Sequence, residues 1–260
     1  MKIHFSKYHG AGNDFILIDN RKEELSLTVN QVEGLCNRHF GIGADGLILL
    51  EDSETVDFRM RYFNANGNEA TLCGNGGRCI TSFAHRLGVV DKGTHFRAID
   101  GLHTATILSS SKKGDIISLK MNDVSHWDKA GKDFIFNTGS PHLIRFVDNL
   151  DDIDVVAEGR KVRYGKQFGD EGINVNFISL IDGHVKIRTY ERGVEDETLA
   201  CGTGAVASAL AASFHNIKPP VTINAKGGEL KVHFTKDKNT FTDIRLEGPA
   251  VFVYSGEINI

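Results

Sequence analysis

The sequence predicts an α+β protein with many strands, few helices and two similar halves. Three observations support this class: short segments that alternate apolar and polar residues, a scarcity of helical periodicity, and one eight-residue pattern that occurs twice. The 260 residues are 40% hydrophobic and 25% charged, which is typical of a folded protein with a substantial core. The 28 glycines and only 4 prolines indicate many tight turns between short strands.

The repeated pattern is Glu-x-x-x-Cys-Gly-x-Gly. Its first copy begins at Glu69, after an alternating strand (residues 56–62) and a polar turn, and a helix is predicted from Arg78 to Leu87. Its second copy begins at Glu197, after a strand (residues 185–190) and a turn, and opens a helix that continues to about residue 212. The copies lie about half the chain apart, which indicates an internal duplication.

The remaining elements are mostly strands. A helix is predicted over residues 27–37. Further strands are predicted, in chain order, at residues 15–19, 47–50, 96–99, 104–108, 116–121, 134–137, 143–147, 175–180, 221–224, 230–234, 244–247 and 251–254. Strands do not alternate regularly with helices, so a doubly wound parallel sheet is not expected.

Composition and motif context exclude several classes of protein. The net charge of −4 argues against a general binder of nucleic acid or anionic membranes, and no apolar run is long enough to span a membrane. The short apolar run near the N-terminus does not predict a signal peptide, so we expect a cytoplasmic protein. Residues 41–46 match Gly-x-Gly-x-x-Gly, but a strand follows this segment where a dinucleotide site requires a helix, so nucleotide binding is rejected.

The four cysteines fall into two groups. Cys36 and Cys79 lie among apolar residues and are predicted to be buried, and no Cys-x-x-Cys pair indicates a metal site. Cys73 and Cys201 each stand directly before a glycine-rich helix start. Unpaired N–H groups and the positive end of the dipole there favour a thiolate and could bind a carboxylate. These two cysteines are therefore predicted to be reactive.

Several segments together resemble the diaminopimelate epimerase family. They are residues 10–15 (GAGNDF), 63–65 (FNA), 73–79 (CGNGGRC), 139–142 (GSPH), 174–176 (NVN), 191–193 (ERG) and 200–204 (ACGTG). The resemblance implies interconversion of LL- and meso-diaminopimelate in lysine and peptidoglycan precursor synthesis, with neither a cofactor nor a metal. It also implies two pseudo-symmetric halves, each a β-barrel-like sheet around a central helix, with the active site in the cleft between them. The halves are expected at residues 1–117, joined by the returning strand 251–260, and at residues 118–250.

The resemblance also implies a role for each matching residue. Cys201 is the implied proton acceptor and Cys73 the proton donor for the LL substrate, with the roles reversed for the meso form. Fixed groups on opposite faces of a stereocentre can invert it without moving a base. Residues expected to bind substrate are Asn13, Asn64, Gly74, Asn75, Asn174, Glu191, Arg192, Gly202 and Thr203, of which Gly74, Asn75, Gly202 and Thr203 offer backbone N–H groups at the helix starts. His142 and Glu191 are implied to tune the thiol pKa values.

Two positions differ from some members of the family. Gly46 stands where those members carry glutamine and Ser140 where they carry asparagine, so substrate contact by either is left open, and the loop from Glu191 to Cys201 is one residue longer. The alternatives are a related cofactor-independent amino-acid racemase, a PhzF-like isomerase, which would lack the cysteine pair, and a thiol redox protein. A small-molecule substrate is expected, and the oligomeric state stays open, with a homodimer as the candidate.

Overall fold

A computed structural model of the chain describes residues 2–22, 24–112 and 114–260. The chain forms two compact units: unit 1 comprises the described residues of Met1–Leu119 together with Gly248–Ile260, and unit 2 comprises Lys120–Glu247. Each unit contains mainly strands and one long buried helix, which confirms the α+β class. Among the residues that the structure describes, no helix is long and apolar enough to cross a membrane.

The described part of unit 1 contains eight strands and two helices before the final strand. They are β1 (Lys2–Gly10), β2 (Asn13–Asp19), α1 (Val29–Cys36), β3 (Gly46–Glu51), β4 (Phe58–Asn64), β5 (Glu69–Ala70), α2 (Gly74–Arg86), β6 (Gly93–Ala98), β7 (Gly101–Ser111) and β8 (Gly114–Lys120). Strand β2 pairs in parallel with β3, β3 pairs antiparallel with β4, and β4 pairs antiparallel with β5 and in parallel with β6. Strands β6 and β7 form an antiparallel hairpin.

Unit 2 repeats this order. Its elements are β9 (Trp127–Ala130), β10 (Asp133–Asn137), β11 (Pro141–Phe146), α3 (Val155–Arg163), β12 (Asn174–Ile181), β13 (His184–Glu191), β14 (Asp196–Thr198), α4 (Gly202–Ala212), β15 (Val221–Ala225) and β16 (Gly228–Asp237), with short 3-10 helices at Lys166–Phe168 and Ser213–His215. The pairings β11–β12, β12–β13, β13–β14, β13–β15 and β15–β16 have the same directions as their counterparts in unit 1. The internal duplication therefore extends to strand topology.

The final strand, β17 (Thr240–Asn259), was predicted as two strands at 244–247 and 251–254 and is continuous. The segment between them, Gly248–Pro249–Ala250, contains glycine and proline, which are uncommon inside strands. The backbone stays extended there and carries the chain from unit 2 into unit 1. There, β17 pairs antiparallel with β1, from Lys2 opposite Asn259 to His9 opposite Val251.

Helix α2 begins four residues earlier than predicted, at Gly74 rather than Arg78. Glycine is a poor helix former, so local preference alone does not favour helix at residues 74–77. Close packing explains the glycines, since a Cβ at Gly76 would lie 3.2 Å from Ile48 Cδ1 and one at Gly77 would lie 3.0 Å from Leu72 Cδ1. Packing in the tertiary structure therefore outweighs the local preference, and Cys73 becomes the residue that caps the helix.

Helix α4 runs through the core of unit 2. From Gly202 to Ala212, every residue except Thr203 is buried. Its alanine and glycine residues are small and allow strands to approach it closely, and an apolar surface on all sides is typical of a fully buried helix. Its first turn is thus rigidly held, and Cys201 caps it at the N-terminus.

Candidate active site

Cys73 is half-buried at the N-terminus of helix α2, within unit 1. Its Sγ lies 3.6 Å from the side-chain oxygen Oδ1 of Asn13, at the start of β2. An amide oxygen can only accept a hydrogen bond, so the thiol of Cys73 is the donor. This contact stabilises the protonated form of the sulfur.

Two neighbours fix the orientation of the Asn13 amide. Its nitrogen donates to Asp45 Oδ2 at 2.7 Å, and its oxygen accepts from Asn75 Nδ2 at 3.1 Å. Because Asp45 offers only acceptors when ionised, the amide nitrogen must face Asp45 and the oxygen must face Cys73. Asp45 is in turn held by Arg38, whose Nη2 lies 2.6 Å from Oδ1.

A charged network lies beside this amide. Asp14 accepts from Arg38 Nη2 at 2.8 Å and from the buried Lys7 Nζ at 2.7 Å. Burial raises the pKa of the Asp14 carboxyl, but the hydrogen bonds and charges of Arg38 and Lys7 outweigh it and hold the pKa well below its usual range. The Asn13–Asp14 corner therefore keeps a fixed charge and a fixed geometry at neutral pH.

Arg78 stabilises the first turn of helix α2. It is completely buried, its Nη2 donates to Asn75 Oδ1 at 2.7 Å, and its Nη1 donates to the carbonyl of Gly74 at 3.1 Å. Burial lowers the pKa of the guanidinium, opposed by the neighbouring cysteines Cys79 and Cys73, and arginine remains charged in proteins. Arg78 therefore turns the Asn75 amide nitrogen towards Asn13.

Cys201 is half-buried at the N-terminus of helix α4, within unit 2. Its Sγ lies 3.5 Å from the hydroxyl of Thr203, two residues further along. Thr203 Oγ1 also lies 2.8 Å from His142 Nε2 and 3.3 Å from Ser140 Oγ. The second cysteine therefore faces a hydroxyl, where the first faces an amide oxygen.

His142 is completely buried. Burial, with a smaller contribution from the charge of Arg192, lowers the pKa of its imidazole to about 3. The ring is therefore neutral at physiological pH. One ring nitrogen of a neutral imidazole carries the proton and the other accepts a hydrogen bond.

The end of β13 and the loop after it carry the two charged residues expected to bind substrate. Asn174 Oδ1 accepts from the backbone N–H of Arg192 at 2.9 Å, and Arg192 Nη1 donates to the carbonyl of Glu171 at 3.3 Å. The carboxylate of Glu191 accepts from Thr198 Oγ1 at 2.8 Å. Strands β12 and β14 therefore hold this loop from both sides.

Glu195 closes the same loop and was not identified from the sequence. Its carboxylate accepts from the backbone N–H of Gly193 at 3.1 Å, from the hydroxyls of Tyr190 and Tyr164 at 2.9 and 3.0 Å, and from Arg163 Nε at 3.3 Å. Burial raises the pKa of Glu195, but these donors outweigh it and the net pKa is lowered. Glu195 holds this position although its φ of +60° is one that non-glycine residues rarely adopt.

Comparison with known proteins identifies the family of this chain. The sequence profile described as diaminopimelate epimerase matches residues 5–127 and 134–253. A diaminopimelate epimerase of Flavobacterium psychrophilum is 48% identical over 99% of this chain and 100% of its own length. One from Chlorobaculum tepidum is 47% identical over 96% and 99%. This chain belongs to the diaminopimelate epimerase family.

Solved structures extend the likeness at the level of fold. A PhzF-family phenazine biosynthesis protein of Bacillus anthracis has a TM-score of 0.78 at 17% identity over 100% of both chains. A hydroxyproline epimerase of Agrobacterium vitis, with bound trans-4-hydroxy-L-proline, has a TM-score of 0.72 at 13% identity, over 99% of this chain and 92% of that one. The fold of this diaminopimelate epimerase family member is thus shared with more distant proteins.

The structure gathers most of the predicted site residues of this family member into two networks. Unit 1 joins Cys73, Asn13 and Asn75, and unit 2 joins Cys201, Thr203, His142 and Asn174, with Glu191 at the end of β13 and Arg192 directly after it. The first residues of the two helices, Gly74 and Gly202, follow the cysteines directly. The structure does not link Asn64 to these networks through a described hydrogen bond. It ends β4 opposite Gly46 and accepts from Tyr62.

Ser140, which the sequence left open, belongs to the unit 2 network. Its hydroxyl lies 3.0 Å from His142 Nε2 and accepts from Asn174 Nδ2 at 3.1 Å. Cys36 and Cys79 are buried as predicted, and burial raises the thiol pKa of Cys36 to about 12. Within ranges 2–22, 24–112 and 114–260, no three His, Cys, Asp or Glu side chains are grouped to hold a metal ion.

Proposed function

We propose that the protein interconverts LL- and meso-diaminopimelate through two cysteines, Cys73 and Cys201. The observation that carries the proposal is the pair of helices that each begin directly after a half-buried cysteine, in a chain 48% identical to a named diaminopimelate epimerase. The enzyme is an isomerase, and the product serves lysine and peptidoglycan precursor synthesis.

The chemistry is a transfer of one proton at each face of the substrate Cα. With LL substrate, the Cys201 thiolate removes the α-proton, so that the Cα–H bond breaks and an S–H bond forms. The electron pair is delocalised into the adjacent carboxylate. The Cys73 thiol then delivers its proton to the opposite face and becomes the thiolate, and meso substrate is converted by the reverse sequence.

Backbone N–H groups at the helix starts supply electrostatic stabilisation. Residues Gly74 and Asn75 begin α2, and Gly202 and Thr203 begin α4, so their N–H groups have no carbonyl partner earlier in the helix. Such preoriented donors stabilise the negative charge that develops on the substrate carboxylate during proton removal. This geometry supports reaction without an electron-withdrawing cofactor.

The distal end of the substrate is assigned to polar side chains. Arg192 is suited to a two-pronged contact with a carboxylate and Glu191 to an ammonium group. The amides of Asn13 and Asn64 can donate to carboxylates or accept from ammonium groups, and the amide oxygen of Asn174 can accept from an ammonium group. A substrate with two amino-acid ends meets both requirements. We place the protein in the cytoplasm and take a homodimer as its candidate assembly.

Exchange of the α-proton in heavy water tests this function. Purified, reduced protein is incubated with LL-diaminopimelate without added cofactor, and NMR and chiral analysis follow. The expected result is deuterium at Cα together with meso product. The absence of exchange from folded, reduced protein would overturn the proposal, and other amino acids, beginning with histidine, would then be screened in the same assay.

A further inference from the structure

The buried amide of Asn176 decides which nitrogen of His142 carries the proton. We propose that Asn176 is a positioning residue: it makes neutral His142 a hydrogen-bond donor, so that the hydroxyl of Thr203 is directed at Cys201 Sγ. The inference deepens the proposed function, on which its catalytic consequence rests. The structural part of the inference concerns only the direction of hydrogen bonds inside unit 2 and does not depend on the proposed function.

The orientation of the Asn176 side chain is fixed by a backbone carbonyl, which has a single hydrogen-bonding role. Its Nδ2 lies 3.2 Å from the carbonyl oxygen of Leu143, which can only accept. On its other side, Oδ1 accepts from the hydroxyl of Thr189 at 2.9 Å. The nitrogen of the amide therefore faces β11, and its second hydrogen points at His142 Nδ1, 3.0 Å away.

This contact sets the tautomer of the imidazole. Because Asn176 donates to Nδ1, that ring nitrogen must be unprotonated, and the proton of a neutral ring lies on Nε2. His142 is completely buried, and no carboxylate is among its described hydrogen-bond partners. The Nε2–H group therefore donates to Thr203 Oγ1 at 2.8 Å, shared with Ser140 Oγ at 3.0 Å.

A second amide directs Ser140 in the same way. The nitrogen of Asn174 faces the carbonyl of Pro141 at 2.9 Å and donates its other hydrogen to Ser140 Oγ at 3.1 Å. The hydroxyl hydrogen of Ser140 is then available for Thr203 Oγ1 at 3.3 Å. With both lone pairs of its oxygen engaged as acceptors, Thr203 turns its own hydrogen towards Cys201 Sγ at 3.5 Å.

The direction of the hydrogen bonds from Asn176 to Cys201 distinguishes His142 from a general base. A base would need an unprotonated nitrogen aimed at the thiol, whereas the lone pair of His142 is occupied by Asn176. A hydroxyl donor stabilises the thiolate of Cys201, because hydrogen bonding to the charged form favours that form. Cys73 has the opposite arrangement, since its sulfur donates to Asn13 Oδ1. The two units thus favour opposite protonation states of their cysteines.

Two measurements on the full chain test the proposal. The first is the ¹⁵N NMR spectrum of protein labelled at histidine, in which His142 is identified by the signals absent from His142→Gln protein. The expected spectrum at neutral pH is that of a neutral ring protonated at Nε2. A ring protonated at Nδ1, or an imidazolium, would overturn the proposal whether or not the protein epimerises diaminopimelate.

The second measurement is the rate at which iodoacetamide alkylates each cysteine, read separately by mass spectrometry. In Asn176→Leu protein, the rate at Cys201 is expected to fall about threefold to tenfold while that at Cys73 is unchanged. The loss of thiolate is partly offset by greater nucleophilicity of the less acidic thiol. An unchanged rate at Cys201 in folded Asn176→Leu protein would overturn the proposal.

Variants at Thr203, the last side chain before Cys201 in this series of hydrogen bonds, keep the test decisive if Asn176→Leu protein does not fold. Thr203→Val removes the hydroxyl with little change in shape and is expected to slow alkylation of Cys201 to the same extent, whereas Thr203→Ser restores the rate. Ser179→Ala is the matched control, because Ser179 is buried on the same strand as Asn176 and its hydroxyl has no described partner. Failure of serine to restore the rate would contradict the direction proposed for Thr203.

Discussion

The side-chain nitrogen of Asn13 lies 2.7 Å from a carboxylate oxygen of Asp45, and this contact turns the Asn13 oxygen towards Cys73. The pair joins the start of β2 to the residue before β3. Asp45 is part of the glycine-rich segment that resembled a dinucleotide motif. In the structure, this aspartate orients the Asn13 amide beside the Cys73 thiol.

Removal of the Asp45 carboxylate should slow catalysis although this group acts on Cys73 only through Asn13. In Asp45→Ala protein, the Asn13 amide is free to rotate, and kcat/KM for epimerisation is expected to fall about threefold to tenfold. That range reflects a charge-assisted hydrogen bond that is partly exposed to solvent. Steady-state kinetics measure it. Asp52→Ala, a change at another exposed aspartate of unit 1, is the control and should behave as wild type.

Substitution of the two proposed catalytic cysteines should affect epimerisation far more than substitution of a buried cysteine. Cys73→Ala and Cys201→Ala are each expected to lower epimerisation at least about 1000-fold, because each removes one of the two proton-transfer groups. The serine variants retain at most a trace. Cys36→Ala removes a buried thiol with a pKa raised to about 12 and should keep wild-type kcat at reduced thermal stability. Wild-type turnover by Cys201→Ala protein would exclude the two-thiol mechanism.

Motif spacing and strand alternation predicted both cysteines at helix starts, the duplication and most strands. These features are local, since a glycine-flanked cysteine after a strand and a turn is visible in one segment. Helix α3 was missed, although its counterpart α1 occupies the same place in the repeated order. Applying the duplication to every element would have predicted it.

The supporting residues could not be predicted because their roles depend on contacts between distant segments. Arg78 orients Asn75 and Asn176 orients His142, and although each lies within a motif, the sequence does not show which side chain it contacts. One signal was available for Asn176. It lies two residues after Asn174 on a strand, so both side chains point to the same face.

Glu195 should control substrate affinity through the loop that follows Glu191 and carries Arg192. Glu195→Gln removes the charge that binds Arg163 and weakens the contact with the N–H of Gly193. The expected result is a KM about threefold to tenfold higher with kcat little changed, and faster hydrogen exchange at the Gly193 amide. Glu229→Gln, at an exposed glutamate of the same unit, is the control. A fall in kcat at constant KM would contradict a positioning role for Glu195.

Asp14 should make the stability of the protein sensitive to acid. Its folded-state pKa is held well below the usual carboxyl value by Arg38 and Lys7, so the unfolded chain takes up the proton first as the pH falls. The stabilisation is therefore complete well above about pH 4, the unfolded-state value, and is lost progressively below it. Above that pH, Asp14→Asn leaves the buried charge of Lys7 poorly compensated and should lower the free energy of unfolding by about 3 kcal/mol.

The comparison of wild type with Asp14→Asn separates the stabilising effect of the Asp14 charge from the general destabilisation of the protein by acid. In urea unfolding measured from neutral pH downwards, the difference between wild type and Asp14→Asn should shrink as the pH falls below about 4. Asp19→Asn serves as the matched variant, because Asp19 pairs with Arg21 at the surface, where an ion pair contributes about 1 kcal/mol or less. A difference that stayed constant with pH would mean that Asp14 stabilises unit 1 through its hydrogen bonds rather than through its charge.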